Sequence, residues 1–184
     1  DVAPNVQRSY GNWTPRNGSK ARYGQMVTLK WGLAQSNNWI SAYLMSRLNP
    51  QDFLRILNDF GINTYGAYPS MVLCLGPNEV SVCEMVSAYT TFANHGIHCY
   101  PMFVSKIEDN EGNVVATFQP RMNEVISEES AYKMIEMLRA VMNGGTGSRM
   151  RYKYNIECDM GGKTGTTNRN ADAWFMGFTP SLVS

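Results

Sequence analysis

The sequence predicts an α+β fold, a mostly helical region beside an antiparallel sheet, and three observations predict it. Helix signals fill the chain up to about residue 145, strand signals follow over residues 154–180, and a single hairpin interrupts the helices. That order is not the regular strand–helix alternation of a doubly wound sheet. At 184 residues with 43% hydrophobic side chains, the chain has the material for one packed domain, or a large piece of one.

Residues 1–27 are rich in Asn, Gly, Arg and Tyr, lack periodicity, and read as a loop-rich approach to the body. Residues 28–145 read as mostly helical. Thr28 is a good N-cap for a helix over Leu29 to Gln35, and a second helix is expected over Trp39 to Leu48. Asn49-Pro50 supplies a cap and a first-turn proline for a third, whose Phe53, Leu54, Leu57 and Phe60 recur at helical spacing before Gly61. Ser81-x-x-Glu84 is a capping box for a helix through Ala93. A hairpin near residues 102–118 follows, with Met102–Ile107 and Val114–Phe118 flanking Asp109-Asn110-Glu111-Gly112. Ser127 caps a long helix with Ala131, Met134, Ile135 and Leu138 on one face, ended by Asn143-Gly144-Gly145. Strands are expected over Tyr154–Cys158, Gly162–Thr167 and Ala173–Thr179, with a turn at Asn168-Arg169-Asn170.

Composition excludes several functions. Lys+Arg 16 against Asp+Glu 15 leaves a net charge of +1, with no basic field to hold nucleic acid. Apolar runs such as Met71–Leu75 are far shorter than the ~20 residues of a membrane span. The N-terminus, Asp1-Val2-Ala3-Pro4-Asn5, has neither the charged nor the apolar stretch of a signal peptide. The four cysteines form no C-x-x-C pair, and His95 and His98 with Cys99 read as a polar loop after a helix, so no metal or cofactor is expected.

Gly162-Lys163-Thr164 invites a phosphate-loop reading, but Glu157 stands where that pattern needs its first glycine. Gly165-Thr166-Thr167 also makes a poor helix start. Lys-Thr-Gly is equally one of three signatures of penicillin-recognising serine enzymes, with Ser-x-x-Lys and Ser-x-Asn. Ser36-Asn37-Asn38 fits the last of these, upstream and between two helices.

The likeness extends to Leu75-Gly76-Pro77-Asn78-Glu79-Val80, Glu84-Met85, Ala88-Tyr89, Phe92-Ala93-Asn94, Gly96 and Gly145-Thr146-Gly147. It also takes in Gly162–Thr167 and Asp172-Ala173-Trp174-Phe175. Over about residues 10–182 the chain resembles the transpeptidase domain of bifunctional (class A) penicillin-binding proteins. One signature is missing: nothing in residues 1–35 fits Ser-x-x-Lys. Ser130-Ala131-Tyr132-Lys133 matches its letters but falls after Ser36, inside the helix capped by Ser127. The resemblance therefore implies a partial transpeptidase fold, truncated at both ends, without its nucleophile and inactive by itself.

It further implies a peptidoglycan D,D-transpeptidase. The missing serine would attack a stem peptide ending in D-Ala-D-Ala, D-alanine would leave, and a neighbouring amine would take the acyl group. Ser36 would relay the proton, Asn38 would hold the substrate amide, and Lys163 would supply the cation. Thr164 and Thr166 would donate to the terminal carboxylate, Thr166 N–H would form half an oxyanion hole, and Gly165 would leave room for substrate backbone. β-Lactams would bind the same site. The parent protein is expected outside the cytoplasmic membrane, anchored in the inner membrane, with a glycosyltransferase module. A β-lactamase or D,D-carboxypeptidase on the same fold, and a non-catalytic β-lactam-sensing receptor domain, are the alternatives.

Overall fold

The computed structural model describes residues 1–167 and 171–184. The N-terminal segment is not all loop. Strand β1 (Val2–Pro4) pairs antiparallel with β2 (Met26–Thr28), so the intervening chain closes on itself. Ala3 faces Val27 in that register, and both pack with Ile40 in a buried cluster edged by Leu29, Trp31 and Tyr43. Asn5, completely buried, donates from Nδ2 to the carbonyls of Ala21 and Arg22 at 2.9 Å each. Three-residue strands carry no readable periodicity, which is why the sequence does not announce them.

The helices begin at their expected caps. Thr28 Oγ1 accepts from Trp31 N–H at the start of α1 (Leu29–Ala34), and Asn49 Oδ1 from Gln51 N–H at the start of α3 (Pro50–Asp59). Between them, α2 (Asn38–Met45) is capped by Asn37, whose Oδ1 accepts from Trp39 and Ile40 N–H. A 3₁₀ turn over Met71–Leu75 buries Leu73 against Met45 and Leu54. Both halves of the Ser81–Glu84 capping box form at α4 (Val82–Ala93). The hydrogen bond from the Ser81 hydroxyl, then those from backbone N–H groups, hold the Glu84 carboxyl below its ordinary pKa.

Four antiparallel strand pairs account for the sheet structure among the described residues. Beyond β1–β2, β3 (Ile97–Cys99) pairs with β6 (Met122–Glu124). The hairpin is shorter than expected, β4 (Lys106–Glu108) with β5 (Val114–Thr117), its turn held by Asp109 Oδ1 accepting from Glu111 and Asn113 N–H. Helix α5 (Glu128–Gly144), capped by Ser127, buries Ala131, Leu138, Val141 and Met142, and packs on both α1 and the strand β7 (Gly161–Thr166). It is therefore the common support of the two elements that carry the site.

The strand expected over Tyr154–Cys158 is absent. A short helix α6 (Arg149–Tyr152) precedes this stretch, and Arg151 Nη1 donates to the carbonyls of Ile156 (2.7 Å) and Cys158 (2.6 Å). A charged side chain has taken carbonyls that a ladder would have used. Strand β7 pairs with β8 (Ala173–Phe178); the expected turn Asn168-Arg169-Asn170 lies outside the described residues.

The two histidines are placed differently, and not both in a polar loop: His95 Nδ1 meets Glu128 Oε1 at 2.9 Å on the surface, while His98 is completely buried on β3. His98 Nε2 pairs with Ser87 Oγ at 2.8 Å, Tyr100 stacks edge-on at 4.5 Å, and Asn123 lies opposite in the register. Burial lowers the ring's pKa, with Asn123 opposing the shift. The unfolded chain then binds the proton more readily, so this contribution to stability is present above the unfolded value near 6.5 and is lost as pH falls from there through the lower folded value. Melting temperature is expected to drop between pH 7.5 and 5.5, and the drop should shrink in His98→Gln. An identical pH dependence in the two proteins would contradict the assignment.

Candidate active site

The site begins at the end of α1. Asn37 N–H bonds to the Gly32 carbonyl (2.9 Å) and Ser36 N–H to the Leu33 carbonyl (3.0 Å), the paired closure of a Schellman motif. That motif needs a left-handed residue, and Ser36 occupies the place at φ +51°. A side chain there costs roughly 1–2 kcal/mol relative to right-handed backbone. In return, the chain turns sharply enough to send two neighbours in opposite directions. Asn37 goes inward, where its Nδ2 donates to Asn5 Oδ1 at 2.8 Å. Ser36 goes outward, and its Oγ accepts from Lys163 Nζ at 2.9 Å.

Lys163 comes from β7. Thr167 N–H bonds to the Asp172 carbonyl, continuing the register in which Thr166 faces Ala173. Alternation along an antiparallel ladder then aims the backbone groups of Gly165, Lys163 and Gly161 at β8. Those of Thr166, Thr164 and Gly162 face the opposite edge, where β7 has no strand partner among the described residues. Lys163 Nζ also donates to the Thr164 carbonyl on that edge at 2.8 Å. Burial of the lysine lowers its pKa, which eases release of a proton.

The glycines of β7 differ in what demands them. A Cβ on Gly162 would lie 2.7 Å from the Met176 carbonyl, and one on Gly161 would enter the Phe178 ring, so internal packing accounts for both. A Cβ on Gly165 would meet only Trp174 Cβ at an ordinary 3.4 Å, and the register runs through it without a bulge. Among the described residues nothing requires glycine at 165.

Thr146, to which the sequence assigns no chemical role, also reaches the site. Its Oγ1 lies 2.6 Å from Thr164 Oγ1, and its N–H donates to the Ala34 carbonyl at 3.0 Å, two residues before Ser36. Gln35 Nε2 adds a bond to the Gly144 carbonyl at 3.0 Å. The loop after α5 thus stitches the end of α1 to the edge of β7.

Of the residues singled out from sequence, the structure brings Ser36, Lys163 and Thr164 together, with Gly165 and Thr166 exposed beyond them on the same strand. Asn38 is placed differently: its Nδ2 donates to the Arg16 carbonyl at 2.7 Å, and its backbone N–H to Asn17 Oδ1. The N-terminal segment holds it, and its neighbour Asn37 caps α2. Ser130 sits in the first turn of α5 with its N–H on Ser127 Oγ, and Lys133 pairs with Glu129 at 2.6 Å on the surface. A cavity of about 660 Å³ lined by Asn63, Tyr65, Tyr68 and Glu79 takes no part in this arrangement. Among the described residues no three His, Cys, Asp or Glu side chains gather to hold a metal.

A lysine and a left-handed serine meet beside an open strand edge, and comparison with known proteins gives the family. The family model described as penicillin binding protein transpeptidase domain matches residues 1–182, and the chain belongs to that family. It is 36% identical over 173 residues to penicillin-binding protein 1A of Aquifex aeolicus, covering 94% of this chain and 23% of that protein. Identity to penicillin-binding protein 1A of Neisseria lactamica is 32% over 177 residues, covering 94% and 22%. The crystal structure of penicillin-binding protein 1A from Haemophilus influenzae superposes with a TM-score of 0.85 at 27% identity, over 99% of this chain and 33% of that one. The chain thus spans under a quarter of the curated relatives' length, and it carries their α+β transpeptidase fold.

Proposed function

We propose that these residues form one wall of a serine D,D-transpeptidase site that cross-links peptidoglycan stem peptides, within a longer parent protein that supplies the attacking serine. The observation that carries this reading is the 2.9 Å bond between Lys163 Nζ and Ser36 Oγ, made across 127 residues on the rim of an unpaired strand edge. A substrate ending in D-Ala-D-Ala adds to that edge as a strand, taking its backbone bonds from Thr164 and Thr166. Gly165, which no contact among the described residues requires, leaves the space.

The parent's serine attacks the penultimate carbonyl and its proton passes through Ser36 to the leaving D-alanine nitrogen. The Lys163 ammonium polarises the Ser36 hydroxyl and attracts the substrate carboxylate, to which Thr164 and Thr166 hydroxyls donate. Thr166 N–H stabilises the oxyanion. A stem-peptide amine then takes the acyl group and returns the proton. Asn38 holds the substrate amide once its Nδ2 leaves the Arg16 carbonyl. β-Lactams acylate the same serine. The parent works outside the cytoplasmic membrane, anchored to it, and carries a peptidoglycan glycosyltransferase.

Incubation with fluorescent penicillin followed by a denaturing gel tests this. The 184-residue chain, with no Ser-x-x-Lys ahead of Ser36, is expected to stay unlabelled, and the parent to label on one serine. A labelled 184-residue chain would refute the division of the site, and an unlabelled parent would refute the function.

A further inference from the structure

We infer that Thr146 is a positioning residue for the substrate carboxylate, an inference that rests on the transpeptidase reading above. Thr146 Oγ1 and Thr164 Oγ1 are 2.6 Å apart, a short hydroxyl–hydroxyl bond. Two hydroxyls hold two protons, and only one lies between them. The other must point away from the pair, from Thr164 or from Thr146. In either arrangement the bridging bond polarises that outer O–H and makes it a stronger donor than a lone threonine. Thr164 is half-buried at the unpaired edge of β7, next to the lysine that supplies positive charge, so the outer proton serves an anion there.

The loop is constructed to hold this geometry. A Cβ on Gly145 would collide with the Ala34 carbonyl oxygen and lie 2.9 Å from Val141 Cα, and one on Gly147 would lie 2.7 Å from Met142 Sδ. Backbone packing on α1 and α5 thus requires glycine at 145, whereas at 147 the Met142 side chain would have to shift; the threonine between them is fixed by its N–H on the Ala34 carbonyl. Thr164 is held from two sides, its carbonyl by Lys163 Nζ and its hydroxyl by Thr146. A loop that only closed a helix would not need a threonine hydroxyl on a residue of the substrate edge.

The test measures binding of N-acetyl-D-alanyl-D-alanine and of its C-terminal amide to the 184-residue chain, by NMR shifts of the Thr164 and Thr166 amides. The unsubstituted chain should bind the acid more tightly than the amide. Thr146→Val should weaken the acid by roughly tenfold, the scale of one hydrogen bond to a charged group, and leave the amide unchanged. Thr146→Ser, which keeps the hydroxyl, should restore the preference. Equal weakening of both peptides, no weakening of either, or a Thr146→Val chain that fails to fold would each overturn the inference and leave the transpeptidase reading standing. An unsubstituted chain that binds neither peptide, or both alike, overturns the carboxylate subsite and the inference together. Labelling of the parent by penicillin judges the reading separately.

Discussion

Lys163→Ala in the parent protein is expected to lower the second-order rate of acylation by penicillin by on the order of 10²–10⁴, the range for loss of a general acid–base or electrostatic group. The substitution removes three things at once. Ser36 Oγ loses the ammonium that polarises it, the Thr164 carbonyl loses its donor, and the strand edge loses its positive charge. The fold should survive, because the β7–β8 ladder is made by backbone groups and the Lys163 side chain takes no part in it. Melting temperature is therefore the control. Lys163→Arg should recover only part of the rate, since a planar guanidinium cannot reproduce a point charge held 2.9 Å from one hydroxyl. Acylation within threefold of the unsubstituted parent in Lys163→Ala would remove Lys163 from the mechanism.

Gly145→Ala carries the second large effect, and it acts on stability and site together. The added methyl would overlap the Ala34 carbonyl oxygen and sit 2.8 Å from its carbon, both backbone atoms with nowhere to give. Overpacking of this kind costs about 1–3 kcal/mol, which in a chain of this length lowers the melting temperature by roughly 2–10 °C. The same displacement pulls Thr146 N–H off the Ala34 carbonyl, so carboxylate binding should weaken with the fold. Gly144→Ala is the matched control. A methyl there meets nothing within 4 Å and sits in the last residue of α5, so it should be neutral or slightly stabilising. Equal melting temperatures for the two variants would show that the loop has more freedom than its contacts allow.

Legibility in the sequence followed element length and bond type. Helix α5 was visible from one periodic apolar face and a Ser127 cap, and α4 from the reciprocal Ser81–Glu84 box, because both signals repeat or pair at fixed spacing. The β1–β2 and β3–β6 pairs were not, since three residues cannot display a period of two. The expected strand at Tyr154–Cys158 failed for a different reason: Arg151, several residues upstream, captures two of its carbonyls, a contact no spacing rule encodes. At the site, Ser36 and Lys163 were legible only through the order of two short motifs that resemble a known family. Thr146 was not, because a hydroxyl–hydroxyl bond between a loop and a strand leaves no local pattern. The Asn37–Asn5 bond, which spans 32 residues, leaves no local pattern either.

The central claim is that the free edge of β7, beside Lys163 and Ser36, receives the acylating ligand. A crystal structure of the parent protein after reaction with penicillin tests it most directly. The drug's carboxylate is expected within about 3 Å of the Thr164 or Thr166 hydroxyl, with the acyl oxygen on Thr166 N–H. A drug bonded to a serine remote from β7, Ser130 included, or one whose carboxylate faces solvent away from Lys163, would contradict the account.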